Sequence, residues 1–382
     1  MSERFVRSRR RFLAASGVAT ATGLAGCTGI LDGGGGDSEK PSLADFRGSG
    51  AFVSDRPAPG GTSIESLPDL EGELSIYLGG GEGGRYRNLL QLLNEYYPNF
   101  EATWKTQPSS VLAKQIEQEY ENDTTRADVF WSVDAGSLAY VADAGATTEL
   151  PKNVTKPVPD PYHPTDQWVG VAGRARSIPY NTNQFSASDM PNDVSAYAND
   201  DRFQGVMGWA PTYGAFHSFV TAMRILRGDQ ATREWLNGML EQDVSRYKNE
   251  FLVSQGVATG EIGAGFANHY YAIHVLAGRE DAPLDLAFTK NDAGALVNVS
   301  GAAVLKGSQK QDLAANLVRH LLSAEAQEFI ATRGFAYPMI PGVEPVGPLP
   351  TIEELSPPDI DLQKLSDVQP TLDLLRDVGV LQ

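Results

Sequence analysis

Apolar and polar positions alternate over residues 73–78, where Leu74, Ile76 and Leu78 are separated by Ser75 and Tyr77. A two-residue period predicts a β-strand. It runs into Gly79, Gly80, Gly81, Glu82, Gly83 and Gly84. A helix is expected from about 85 to 97, ended by Pro98. A strand follows near 100–105. The next helix covers 109–121, with Val111, Leu112, Ile116 and Tyr120 on one face. Residues 127–131 (Ala-Asp-Val-Phe-Trp) read as a buried strand. Strand, glycine turn, helix, strand, helix, strand is an α/β order with a largely parallel sheet. Ligands on such sheets bind at the carboxyl ends of strands, which points at 79–84 and 132–136.

Further along, 174–181 reads as a strand crossing between two halves, and 292–305 supplies more strands. Residues 311–333 read as one long amphipathic helix closed by Gly334, with Leu313, Leu317, Leu321 and Phe329 buried. Residues 345–382 form a Pro- and Asp-rich tail with at least one short helix. The body from 72 onward is about 310 residues, more than a single core usually serves, so two lobes are expected. The division expected is 72–168 with 300–350 for lobe 1, and 169–299 with 351–382 for lobe 2. No internal repeat is visible.

The front of the chain has a different character. Ser8-Arg9-Arg10-Arg11-Phe12-Leu13 reads as a twin-arginine export signal. The apolar run behind it is short and rich in small residues, unlike a membrane span of about 20 apolar residues. It ends in Leu24-Ala25-Gly26-Cys27, which looks like a lipobox, and Cys27 is the only cysteine of 382 residues. Lipidation of that thiol after cleavage is the expected chemistry. A single cysteine excludes an intramolecular disulfide and a cysteine-rich zinc site. Residues 28–71 read as a flexible tether and an extended leader lying on or near the domain.

Charge changes the picture of partners. The chain carries −17, and its first 27 residues hold five Arg against one Glu, so the remainder is more acidic still. Such a surface suits neither nucleic acid nor anionic lipid heads. The acids are dispersed, as on a solvated surface of the haloarchaeal type. Sequons at Asn122, Asn153 and Asn298 are expected to be exposed. The five histidines (His163, His217, His269, His274, His320) form no close-spaced metal pair, and no nucleophile elbow occurs. Nothing in the residues asks for an enzyme. The glycine loop lacks a following Lys-Ser/Thr and is not a P-loop. It is either a strand-to-helix turn needing unusual backbone angles, a backbone donor site at a helix N-terminus, or a place where Glu82 faces the cleft.

Five segments resemble, in order, the ferric-iron-binding solute-binding proteins of ABC transporters. They are 127–136, 168–176, 209–216, Ala267-Asn268-His269-Tyr270-Tyr271, and 321–327. The resemblance covers about 73–345. It implies a type II periplasmic-binding-protein fold, two α/β lobes hinged around a ligand cleft, and no enzymatic activity. It implies Fe³⁺ as ligand, held with carbonate or phosphate as synergistic anion, and an ABC permease with its ATPase as partners. Tyr270 and Tyr271 match the family's tyrosine pair and Tyr180 its third tyrosine. Gly173, Arg174, Arg176 and Asn268 match the positions that hold the anion. A trivalent cation favours ionised phenols, whose ordinary pKa is about 10. A guanidinium and an oriented N–H are the donors an oxyanion wants.

There are departures. The family's early histidine is missing, with Gly81 in its place and Glu82 next, where some members carry a glutamate. The first-lobe carboxylate falls near Val133 or Asp134, and Asp134 also suits a helix start. Tyr213 stands where several members place an anion-binding asparagine. It is a fourth oxygen ligand, a narrowing of the cleft, or a sign of a changed ligand. Other solutes carried on this architecture are therefore alternatives: thiamine, polyamine, phosphonate or sugar phosphate. A surface-anchored hydrolase is the reading of another class.

Overall fold

The computed structural model describes residues 40–80, 83–347 and 349–381. The export signal, Cys27, the glycine tether and Glu82 lie outside the described residues. From 40 to 71 the chain lies on the domain. Its one-turn helix α1 (Leu43–Phe46) buries Phe46 completely, and Ile64, Leu67 and Leu70 are buried further on.

The order through residue 132 is the expected one, and a helix follows it. It runs β1 (Gly72–Gly79), α2 (Gly83–Tyr96), β2 (Phe100–Gln107), α3 (Ser109–Glu121), β3 (Val129–Ser132) and α4 (Ala135–Asp143). β1 lies parallel between β2 and β3. On α3 the buried positions are Ser109, Leu112, Ala113, Ile116 and Glu119. Val111 is 47% exposed, against expectation. It stands about 100° around the helix from Leu112, just off a stripe spaced three and four residues apart. Glu119 tolerates burial because its Oε1 accepts from Tyr77 Oη at 2.8 Å and Gln115 Nε2 at 2.6 Å.

After α5 (Lys152–Thr155) comes β4 (Val169–Asn181), every residue of which is buried. Then follow β5 (Met207–Trp209), α6 (Gly214–Glu241), β6 (Ser245–Arg246), α7 (Glu250–Thr259), β7 (Ala264–Gly265), β8 (Ala267–Asn268), α8 (His269–Gly278), β9 (Leu284–Ala287) and β10 (Val297–Val304). The chain closes with α9 (Gln311–Leu321), α10 (Ala324–Gly334), β11 (Tyr337–Pro338), α11 (Ile352–Leu355) and α12 (Gln369–Asp377). α6 is broken at Gly228, where φ is 82°. That left-handed angle is one that glycine adopts freely.

The strand order is β2-β1-β3-β10-β4-β7-β5-β6, with β8, β9 and β11 also on β4. The sheet is mixed rather than largely parallel. β10 runs antiparallel to both β3 and β4. β9 and β10 both run antiparallel to β4, so the chain reaches β10 by running on along β4 through the short 3₁₀ turn Ala293–Ala295, and not by the crossover that a parallel neighbour needs. β4 belongs to both halves of the sheet. Residues 169–175 pair with β10, and Ala172 and Gly173 also with β11. Residues 176–181 pair with β8 and β9, and Tyr180 also with β7.

The long helix expected over 311–333 is two helices. Ser323 accepts the Ala326 N–H at 3.2 Å and caps α10, starting a new axis after Leu322. Such a local side-chain acceptor competes with helix continuation. Leu317, Leu321 and Phe329 are buried and Leu313 partly so. The tail packs back on the body. Its 3₁₀ segment Leu362–Ser366 lies on α4, and the hydroxyls of Thr371 on α12 and Thr221 on α6 hydrogen-bond at 2.7 Å. Asn122 and Asn153 are exposed, but Asn298 is buried in β10. Its carboxamide oxygen accepts from Ala135 N at 3.2 Å, so this third sequon is not an exposed one.

Candidate metal centre

The tyrosine pair opens α8. Asn268 is its N-cap and Tyr270 and Tyr271 stand in its first turn. Tyr270 is buried and Tyr271 half-buried, and their rings lie 4.4 Å apart. The N-terminal end of a helix carries partial positive charge and favours anionic groups. Tyr213, N-cap of α6, reaches the same place. Its hydroxyl hydrogen-bonds the Tyr271 hydroxyl, and the rings meet edge-on at 6.2 Å. The fold thus brings three phenols from two helix starts together, 58 residues apart in the chain for Tyr213 and Tyr271.

β4 supplies the basic side of the site. Arg174 and Arg176 are 8% and 3% exposed. Arg176 Nη1 donates to Glu250 Oε1 at 2.5 Å and to Asn268 Oδ1 at 3.2 Å, and its guanidinium lies 5.1 Å from the Phe219 ring centre. Nη2 of Arg176 is buried with no partner among the described residues. Asn268 Nδ2 donates to the Tyr270 hydroxyl oxygen at 3.2 Å. Gly173 lies mid-strand between Val299 and Tyr337. A Cβ there would come within 2.9 Å of Tyr337 Cβ, so close strand packing already accounts for this glycine.

His269 is fully buried. Its Nε2 faces the Phe335 carbonyl at 2.8 Å, so that nitrogen carries the proton and Nδ1 accepts from Ala175 N–H at 3.2 Å. Burial lowers its pKa to about 4, so it is a neutral clip between β4 and the end of α10. Tyr180 lies further along β4. It stands four residues beyond Arg176, about 13 Å along an extended strand. Its hydroxyl donates to Asp285 Oδ2 at 3.0 Å. Burial and the Asp285 charge push its pKa up to about 12. Asp134 caps α4, accepting from Ser137 N at 2.7 Å, which is the helix-start role. Val133 has no side-chain oxygen to offer a metal, and its backbone N–H donates to Ser109 Oγ at 3.0 Å.

Among the described residues no group of three or more His, Cys, Asp or Glu stands ready for a metal. A metal at this centre would therefore be held chiefly by phenol oxygen. Hard trivalent cations favour anionic oxygen, and the donor set here is one of phenols beside buried guanidinium groups. The orphaned Arg176 Nη2 fits a small oxyanion, since a buried donor left unmatched is costly. Glu250 escaped notice in the sequence. It looks there like an ordinary first-turn acid behind the N-cap Asn249, one of 48 acids. No helix among the described residues is long and apolar enough to cross a membrane.

Residues 125–361 match the family model described as bacterial extracellular solute-binding protein. The chain is 34% identical over 276 residues to the major ferric iron-binding protein of Neisseria meningitidis serogroup B, covering 70% of this chain and 82% of the relative. It is 26% identical to the Fe(3+)-binding periplasmic protein of Serratia marcescens, covering 71% and 80%. The crystal structure of iron-bound HitA from Pseudomonas aeruginosa superposes with a TM-score of 0.71 at 28% identity, covering 80% of this chain and 99% of that one.

Proposed function

The chain belongs to the bacterial extracellular solute-binding protein family, whose fold it shares, and we propose that it captures ferric iron outside the cytoplasm for an ABC importer. The observation that carries this reading is the phenol cluster of Tyr270, Tyr271 and Tyr213 beside the buried Arg174 and Arg176. The names of the relatives support iron as the cargo. Three phenolates would offset the charge of Fe³⁺, and the helix start beneath Tyr270 and Tyr271 favours the anionic form.

Carbonate or phosphate would complete the coordination. Arg176 Nη2, Arg174 and the Asn268 carboxamide are the donors assigned to it. Tyr180 would be the third tyrosine ligand once its hydroxyl leaves Asp285. Glu82, outside the described residues, remains a ligand candidate from the glycine loop. The strand β4, shared by both halves of the sheet, is the natural hinge for two lobes closing on the cargo. Closure would shift an open–closed equilibrium through contacts made only in the closed form. The partners would be a permease and its ATPase. Export by the twin-arginine signal and a lipid on Cys27 would hold the receptor at the outer face of the membrane.

The test is a titration of residues 28–382 with chelated ferric iron and bicarbonate, followed in the visible. A saturable tyrosinate-to-iron band at one equivalent, lost in the Tyr270→Phe, Tyr271→Phe variant, is the expected result. No band, with no ferric protection against melting, would discard iron and move the search to organic and phosphate ligands.

A further inference from the structure

Glu250 is a wholly buried carboxylate that no step above uses. It opens α7 just behind the N-cap Asn249, which accepts from Leu252 N at 2.9 Å. An acid in a first helical turn ordinarily lies in solvent near the helix dipole. This one is turned inward, and its two oxygens are divided. Oε1 accepts from Arg176 Nη1 at 2.5 Å and Oε2 from the Asn268 backbone N–H at 2.8 Å.

The consequence reaches Tyr270. A guanidinium has donors only, so the Asn268 atom facing Arg176 must be Oδ1. Nδ2 then points the other way, at the Tyr270 hydroxyl oxygen, 3.2 Å off. Asn268 is the N-cap of α8, where a carboxamide ordinarily accepts a backbone N–H of the first turn. It makes no such cap bond here. The local capping rule is given up, and what replaces it is the chain Glu250, Arg176, Asn268, Tyr270. Glu250 also neutralises Arg176, so the guanidinium can stand beside a cation site without strong repulsion. Among the described residues its Nη2 still has no partner.

We propose that Glu250 is a positioning residue for iron capture, acting through Arg176 and Asn268 to hold Tyr270 in its ligand orientation. This rests on the reading of Tyr270 as an iron ligand. In Glu250→Gln the amide NH₂ must face either Arg176 Nη1 or the Asn268 N–H, donor against donor. Outer-shell partners of metal ligands typically change affinity by about 10–100-fold. Iron-loaded Glu250→Gln should therefore pass its metal to citrate at least about tenfold faster than wild type. It should still bind one equivalent, with the visible band shifted.

The discriminating measurement is a cycle with Asn268→Ala. If Glu250 acts through Asn268, adding Glu250→Gln to Asn268→Ala speeds release no further. A purely structural role would lower the melting temperature and leave the two effects multiplicative. Should Glu250→Gln fold poorly, Glu250→Asp keeps the charge and leaves Arg176 in place, but one methylene shorter it cannot hold both Arg176 Nη1 and the Asn268 N–H. The same fast release, and the same lack of additivity with Asn268→Ala, are expected. Wild-type release rates in Glu250→Gln or in Glu250→Asp, or undiminished multiplication, overturn the proposal. A wild-type protein with no band overturns both this and the iron reading. A wild-type band with unaffected variants overturns this alone.

Discussion

Acidification of the iron-free protein is the perturbation with the clearest sign. His320 is fully buried on α9. Its Nδ1 faces the Asn316 carbonyl at 2.8 Å and its Nε2 the Tyr97 hydroxyl at 2.9 Å. Burial lowers its pKa from 6.5 to about 4, with the nearby Arg319 charge adding to the effect. The unfolded chain takes up this proton near 6.5, and the folded chain resists until about 4. Between those values the unfolded state binds more protons, so stability is full above 6.5 and falls as pH falls. At pH 5 the linkage costs about 2 kcal/mol for this one group. His269, lowered to about 4 chiefly by burial, adds a term of the same sign. Against a typical folding stability of about 5–15 kcal/mol these are large terms. Carboxylates held below 3.8, such as Asp166 by Lys152 and Asp200 by Arg202, lose their contribution only in stronger acid. Asp292, whose carboxyl is held above its usual range by burial, contributes with the opposite sign, and the comparison of wild type with a His320 variant removes it. Urea unfolding at both pH values, for wild type and His320→Gln, gives a difference of differences. The variant should lose about 2 kcal/mol less than wild type between pH 7.5 and 5. Equal losses in the two proteins would refute the argument, because they would mean His320 is not held neutral by burial.

Other expectations are more local. Tyr213→Phe removes the hydroxyl that meets Tyr271. If Tyr213 is a ligand, the iron band should weaken or shift and affinity should fall by more than the roughly 10–100-fold typical of outer-shell partners, read by competition with citrate. Glu328, 1% exposed, pairs with both Arg47 and Arg56 of the 40–71 segment. Glu328→Ala should cost about 3 kcal/mol or more and release that segment to limited proteolysis, whereas an unchanged cleavage pattern would show that the clamp is dispensable. Ser323→Ala should cost about 1 kcal/mol in urea unfolding by uncapping α10.

Much of this protein was legible along the chain. Two-residue alternation marked β1, Pro98 limited α2, and the spacing of Leu112 and Ile116 marked α3. These signals are local, because backbone geometry sets the period and proline or a cap sets the end. The tyrosine pair and the two arginines stood out through their neighbours in sequence, and the family assignment came from five such segments. Local patterns could not decide what meets what. Strand direction depends on how the chain returns, so the antiparallel β10 was invisible from its own residues. Val111 and Leu112 are equally apolar, and only the partner surface chose between them. The sequon at Asn298 looked like a surface signal until β10 took it inside. The apposition of Tyr213 with Tyr271 and the division of Glu250 between Arg176 and Asn268 join residues 58, 74 and 18 positions apart. A buried charge needs its partner through space rather than along the chain, and only the folded chain supplies that partner.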